Sequence, residues 1–220
     1  AVCGALVGAG FGFFGQRSKF CLRAAVIEFW HHKFGDKLAV WLLAFSTAVV
    51  GVQLMVLLGG LDLSSARQLS ARGSLSGALI GGLIFGVGMV MTRGCASRLL
   101  VLSANGNLRA LLSGLVFAVT AQAALGGILA PWREALSALW TVDGGDSRNL
   151  LALTGVGPWG GLAFGLLWLV AALFFAVRSG WGFWKWFGGL GTGLMVALAW
   201  AGTYQVMSHS FEVVQIQGLT

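Results

Sequence analysis

Five apolar runs, each close to the length of a membrane crossing, limit what this chain can fold into: Leu38–Leu58, Leu75–Met91, Leu108–Ala130, Trp159–Val177 and Phe187–Met207. At about 1.5 Å of helical rise per residue, Leu38–Leu58 alone covers roughly 31 Å, the thickness of a hydrocarbon core. Charged residues make up only 10% of the 220, against about 25% in soluble domains. The 35 glycines show no collagen period and fit helices packed closely in lipid. The pattern predicts an all-α fold: a polytopic transmembrane bundle, treated as one integral-membrane domain over residues 1–220. Ala1 lies inside an apolar run and no charged n-region precedes it, so the expectation is a segment of a longer chain and no cleavable signal.

The net charge of +7 does not imply nucleic acid, because the basic residues fall between spans, as they do in positive-inside loops. Labelling the connections alternately puts Arg17, Lys19, Arg23, Lys33, Lys37, Arg93, Arg98, Arg178 and Lys185 on one side. Arg67, Arg72, Arg133 and Arg148 fall on the other. The first side is expected to be cytoplasmic. Trp181, Trp184 and Trp186 crowd the turn before the last run, as in an interfacial belt. Residues 59–74 and 132–158 read as connections, and Pro131 as the end of the third run.

Two of the apolar stretches are interrupted in the same way. Ala1–Phe14 carries Gly4, Gly8 and Gly12, steps that admit a close neighbour. It breaks at Gln16–Lys19, and Cys21 opens a short helix. Leu75–Met91 breaks at Thr92-Arg93-Gly94, and Cys95 follows. Gly4-Ala5-Leu6-Val7-Gly8 matches Gly77-Ala78-Leu79-Ile80-Gly81, and each cysteine has arginines on both sides (Arg17 and Arg23; Arg93 and Arg98). The approximate repeat units are 4–37 and 77–107. In lipid, broken backbone is tolerated only when it is buried in protein or lines a cavity. Repeated discontinuous helices are also how many transporters build a central site. Re-entrant helices with Cys21 and Cys95 on a substrate path are therefore expected.

A free cysteine is usually a small core residue. Cys3, which lacks the repeated context, is left as one, but the context reverses that choice for Cys21 and Cys95. Arg17, Arg93, Ser97 and Arg98 are weaker candidates for a pore mouth that gathers anions; the alternative for the arginines is snorkelling to the surface. Cys21–Lys33 reads as a short helix with Glu28, His31, His32 and Lys33 at its polar end. His31-His32 reads as a solvated helix end, Asn105-Gly106-Asn107 as a turn and cap, and Met89 with Met91 as packing. Neither a metal-ligand spacing, a cofactor fingerprint nor a catalytic motif is present, so no metal, no cofactor and no catalytic residue is assigned.

Gly77–Met89 followed by Arg93-Gly94-Cys95-Ala96-Ser97-Arg98 resembles the YeeE/YedE family of bacterial inner-membrane proteins, and Gly15–Arg23 looks like that family's first cysteine motif. The resemblance implies a multi-pass transport domain that takes up thiosulfate or a related sulfur anion. Cys21 and Cys95 would relay the ion by S–H···S contacts. A small sulfur-carrier or rhodanese-like protein is the expected cytoplasmic partner. The family's further central cysteine has no counterpart here, and Cys3 is not a substitute for it.

Three other readings compete. One is a permease for another sulfur or selenium species. The second is a membrane thiol oxidoreductase using Cys21 and Cys95. The third is a helical subunit that transports nothing.

Overall fold

The computed structural model describes residues 2–32, 35–59, 73–143, 155, 157–178 and 180–217. Lys33, Arg67, Arg72 and Arg148, all named above, lie outside them. The described helices are α1 (Val2–Ser18), α2 (Leu22–Trp30), α3 (Asp36–Leu57), α4 (Leu75–Met91), α5 (Ala96–Ala104), α6 (Leu108–Gly126), α7 (Ala130–Ala138), α8 (Gly157–Arg178) and α9 (Phe183–Gln217). Two short strands, β1 (Gly73–Ser74) and β2 (Thr141–Val142), pair antiparallel. The fold is the all-α helical bundle the apolar runs predict.

Four stretches are long and apolar enough to cross a membrane: Asp36–Leu57, Leu75–Ala104 taken through its break, Leu108–Gly126 and Trp159–Arg178. Phe187–Met207 is helical inside α9 but is not among the four. Gly188, Gly189, Gly191 and Gly193 dilute its hydropathy. Along α4, Leu79, Leu83, Ile84, Val87 and Val90 are all exposed. A row of that kind suits lipid as the solvent, since water would not tolerate so continuous an apolar surface.

The chain packs as two compact units. The first comprises residues 1–19, 39–63 and 156–220, and its core is built from small residues. Ala39, Leu43, Ser46, Ala172, Ala176 and Ala197 are fully buried. Helices approach closely where glycine removes the side chain. A Cβ on Gly193 would meet the Ala44 carbonyl and Thr47, and one on Gly188 would meet the Phe14 carbonyl and the Ser18 amide. A Cβ on Gly191 would strike the Phe14 ring. Buried hydroxyls bond back along their own helices: Thr192 Oγ1 donates to Gly188 O (2.7 Å) and Thr47 Oγ1 to Leu43 O (2.7 Å).

The expected close approach at Gly4, Gly8 and Gly12 is not made. A Cβ at any of the three would meet open space, and Gly10, off that register, faces Met195. α1 therefore packs through a neighbouring face, and the glycines that admit it belong to α9. Cys3 is also not core: it is exposed, with its sulfur against Gly202.

The second unit comprises residues 20–38 and 64–155. Pro131 does not end a span. α6 stops at Gly126, and Pro131 sits in the first turn of α7, where its missing N–H costs nothing. The connection beyond it accordingly holds a helix and a strand. A serine clip joins α4 to α7. Ser74 Oγ accepts from Gly77 N (2.7 Å) and donates to Ser137 O (2.6 Å), while Ser76 Oγ donates to Leu136 O (2.8 Å). Glu28, read from sequence as part of a polar helix end, caps the next helix instead. Its Oε2 accepts from Lys37 N and Leu38 N, each at 2.9 Å. A carboxylate there meets the amides and the positive dipole end of α3.

Two stability predictions follow from this packing. Gly193→Ala should destabilise the protein by about 1–3 kcal/mol through overpacking, while Gly8→Ala should leave stability unchanged or slightly raised; equal melting temperatures for the two in detergent would contradict the packing. Glu28→Ala should cost about 0.5–2 kcal/mol, as loss of a helix cap does, and should speed amide exchange at Lys37 and Leu38. Unaltered exchange there would show that the carboxylate does not cap α3.

Candidate functional site

The two interruptions share a backbone course, residue for residue, at an offset of 74 (Cys21 to Cys95). Ser18 and Thr92 each return a hydroxyl to the carbonyl four residues back: Ser18 Oγ to Phe14 O at 2.8 Å and Thr92 Oγ1 to Gly88 O at 2.9 Å. Lys19 (φ 54°) and Arg93 (φ 58°) then turn the chain in the left-handed region. Their amides bond three residues back, Lys19 N to Gln16 O and Arg93 N to Val90 O, both at 3.3 Å. Two residues later the cysteine is extended and caps a nine-residue helix, α2 or α5. Each short helix ends in another left-handed residue, His32 (φ 52°) or Gly106 (φ 85°). Left-handed backbone in a non-glycine residue costs about 1–3 kcal/mol and persists where the surroundings impose it. Finding it at matched places marks the break as a built feature.

The structural register also corrects the pairing of basic residues. Anchored on the cysteines, Lys19 is the counterpart of Arg93, and Arg23 is the counterpart of Ser97. Arg17 falls instead against Met91. The glycine motif misleads by one residue, because Gly4 and Gly77 lie 73 apart.

Cys21 and Cys95 both belong to the second unit, which brings them together. Their sulfurs are 3.9 Å apart, and Cys95 Sγ also lies 3.2 Å from Ser97 Oγ. Both are free thiols; Cys95 is buried and Cys21 half-buried. The amides of Ala24 and Cys95 lie beside the Cys21 sulfur, and those of Arg98 and Leu22 beside the Cys95 sulfur. Neither cysteine side chain forms a helix-cap hydrogen bond. The starts of α2 and α5 thus point at one spot. Helix N-termini carry about half a positive charge each and offer amides to an anion. The result is a soft sulfur pair framed by N–H donors.

The remaining candidates are placed differently. Ser97 is on the thiol pair. Arg98 is half-buried one residue further along α5, and Arg93 is exposed at the break. Arg17 is exposed in the first unit, its guanidinium 4.5 Å from the Trp184 ring centroid and 5.6 Å from that of Phe13. That cation–π contact makes it part of the aromatic belt of Trp181, Trp184 and Trp186, where Trp181 and Trp186 pack edge to face at 5.3 Å. His31 and His32 form an exposed helix end, as read from sequence. Asn107 caps α6, its Oδ1 accepting from Ala110 N at 3.1 Å. Among the described residues no group of three or more His, Cys, Asp or Glu is placed to hold a metal ion.

One residue escaped the sequence reading. Arg23 Nε is buried and has no hydrogen-bond partner among the described residues. The sequence marked Arg23 only as one of several arginines near a cysteine, since spacing does not report desolvation.

Comparison with curated proteins gives no match for this chain. Comparison with family models matches residues 17–217 to the family described as sulphur transport. The match takes in both thiol breaks and all four membrane-capable stretches. The chain therefore belongs to the sulphur transport family, the YeeE/YedE family, and is a multi-pass membrane protein of a sulfur-compound transporter type.

Proposed function

We propose that the protein carries thiosulfate, or a closely related sulfur anion, inward across a bacterial inner membrane, and that Cys21 and Cys95 touch the ion as it passes. The observation that carries this reading is the 3.9 Å contact between the two thiols where two short helices begin. Thiosulfate is a dianion with a hard sulfonate end and one soft terminal sulfur. A thiol is a weak donor and a soft, polarisable partner. The amides at the starts of α2 and α5 offset part of the negative charge. A site of this kind holds the ion weakly, and conduction requires that the ion leave as readily as it enters. Arg93 and Arg98 raise the local potential on the approach to the thiols.

Inside the cell the released ion would pass to a soluble sulfur carrier or rhodanese-like protein. The residues 1–220 act in this reading as a single transport domain with repeat units near 4–37 and 77–107. A thiol-redox reading rests on the same sulfur contact. It predicts that a reversible Cys21–Cys95 disulfide accompanies activity, whereas the transport reading needs both thiols reduced.

Cys95→Ala and Cys21→Ala should each abolish growth on thiosulfate as sole sulfur source while the protein still inserts in the membrane. Cys3→Ser should grow as wild type. Radiolabelled thiosulfate uptake, challenged with excess sulfate, sulfite and selenite, measures the substrate directly. Undiminished uptake in both alanine variants would overturn the proposal, and stronger competition from selenite than from unlabelled thiosulfate would reassign the cargo.

A further inference from the structure

Arg23 stands apart from every other cation described. Its Nε is sealed from solvent and has no partner among the described residues. A buried donor left unsatisfied costs about 1–3 kcal/mol, and more when charged, so native structures keep few of them and each calls for an explanation. Arg17 is seated on Trp184, and Arg93 is exposed.

The repeat says where Arg23 is. It holds the same position in α2 that Ser97 holds in α5, two residues past the capping cysteine. At that position in α5 the side chain reaches the thiol, with Ser97 Oγ 3.2 Å from Cys95 Sγ. In α2 the same position carries Arg23, two residues after Cys21, whose sulfur in turn touches Cys95. Two copies of one motif thus place a hydroxyl residue at this position in one short helix and an arginine with a buried Nε in the other.

We infer that Arg23 is the binding residue for the oxyanion end of the permeating ion. Its buried Nε–H takes a sulfonate oxygen while the Cys21 and Cys95 thiols meet the terminal sulfur. The inference rests on the proposed function and adds what that reading lacks, a reason for selectivity. A small dianion with an oxyanion head and a soft tail, thiosulfate or selenosulfate, satisfies both halves. Sulfate fills only the guanidinium half, and sulfide only the thiol half. One guanidinium against two negative charges leaves the complex loose enough for release.

The test is radiolabelled thiosulfate uptake by the full chain in proteoliposomes, comparing wild type, Arg23→Gln, Arg23→Lys and Cys95→Ala. Removing a charge-assisted hydrogen bond should raise the KM for uptake by about tenfold or more. Arg23→Gln should show that rise with little change in maximal rate. Arg23→Lys, which keeps the charge but lacks the Nε–H, should fall between it and wild type. Sulfate competition should weaken in Arg23→Gln in the same proportion.

If Arg23→Gln does not accumulate, the KM and sulfate competition of Arg23→Lys provide the same readout. A wild-type KM in the Arg23 variants, alongside a dead Cys95→Ala, would overturn the role of Arg23 and leave the thiol path standing. Normal uptake by Cys95→Ala would overturn the thiol path itself.

Discussion

Lipid offers no hydrogen bonds, and that single deficit shapes this protein. A helix that stops inside a bilayer strands carbonyls and amides, which must be satisfied from within or turned toward a cavity. Both interruptions here answer it in the same manner. A hydroxyl caps the end of the long helix, a left-handed residue turns the chain, and an extended cysteine starts the next helix. Thr92 Oγ1 also lies 3.0 Å from Gly94 O, inside the break itself. The first amides of α2 and α5 gather around two sulfurs. The same shortage that makes a broken helix costly leaves its open end with amides to offer, which is what the proposed anion path uses.

The choice of thiol for that place follows from magnitudes. A full charge at the centre of a membrane helix costs at least about 2.5–3.5 kcal/mol on insertion scales. A ring of such charges would be expensive to build and would bind a dianion too tightly. A thiol is nearly apolar to the surrounding core yet polarisable toward a soft sulfur. Partial charges from backbone amides add to the attraction at no further cost in side-chain desolvation.

Much of this was legible in the sequence because it depends on period and punctuation. Apolar length gave four membrane-capable stretches but overcalled Phe187–Met207 as a fifth, and Thr92-Arg93-Gly94 before Cys95 gave the break. The repeat identified Cys21 as its partner. Asn107 declared itself as a cap by residue type and position. What escaped was whatever depends on partners distant in the chain. Glu28 looked like one charge among several at a polar end, yet it holds the first turn of α3. Gly4, Gly8 and Gly12 had the spacing for helix contact, but spacing does not say which face meets a neighbour, and Gly188, Gly191 and Gly193 make the approach instead. Pro131 was read as a stop because proline breaks helices, although it equally begins them. Arg17 and Arg93 looked like a matched pair only while the glycines set the register; the left-handed turns at Lys19 and Arg93 reset it.

The account stands on two sulfhydryls in contact and reachable by the ion. Dibromobimane, which fluoresces once it bridges two thiols, reports on both conditions when applied to the Cys3→Ser protein in native membranes. The account predicts rapid bridging of Cys21 to Cys95 and, once excess reagent is washed away, loss of thiosulfate uptake in proportion to the bridge. Absence of bridging, or undiminished uptake by the bridged protein, would contradict it.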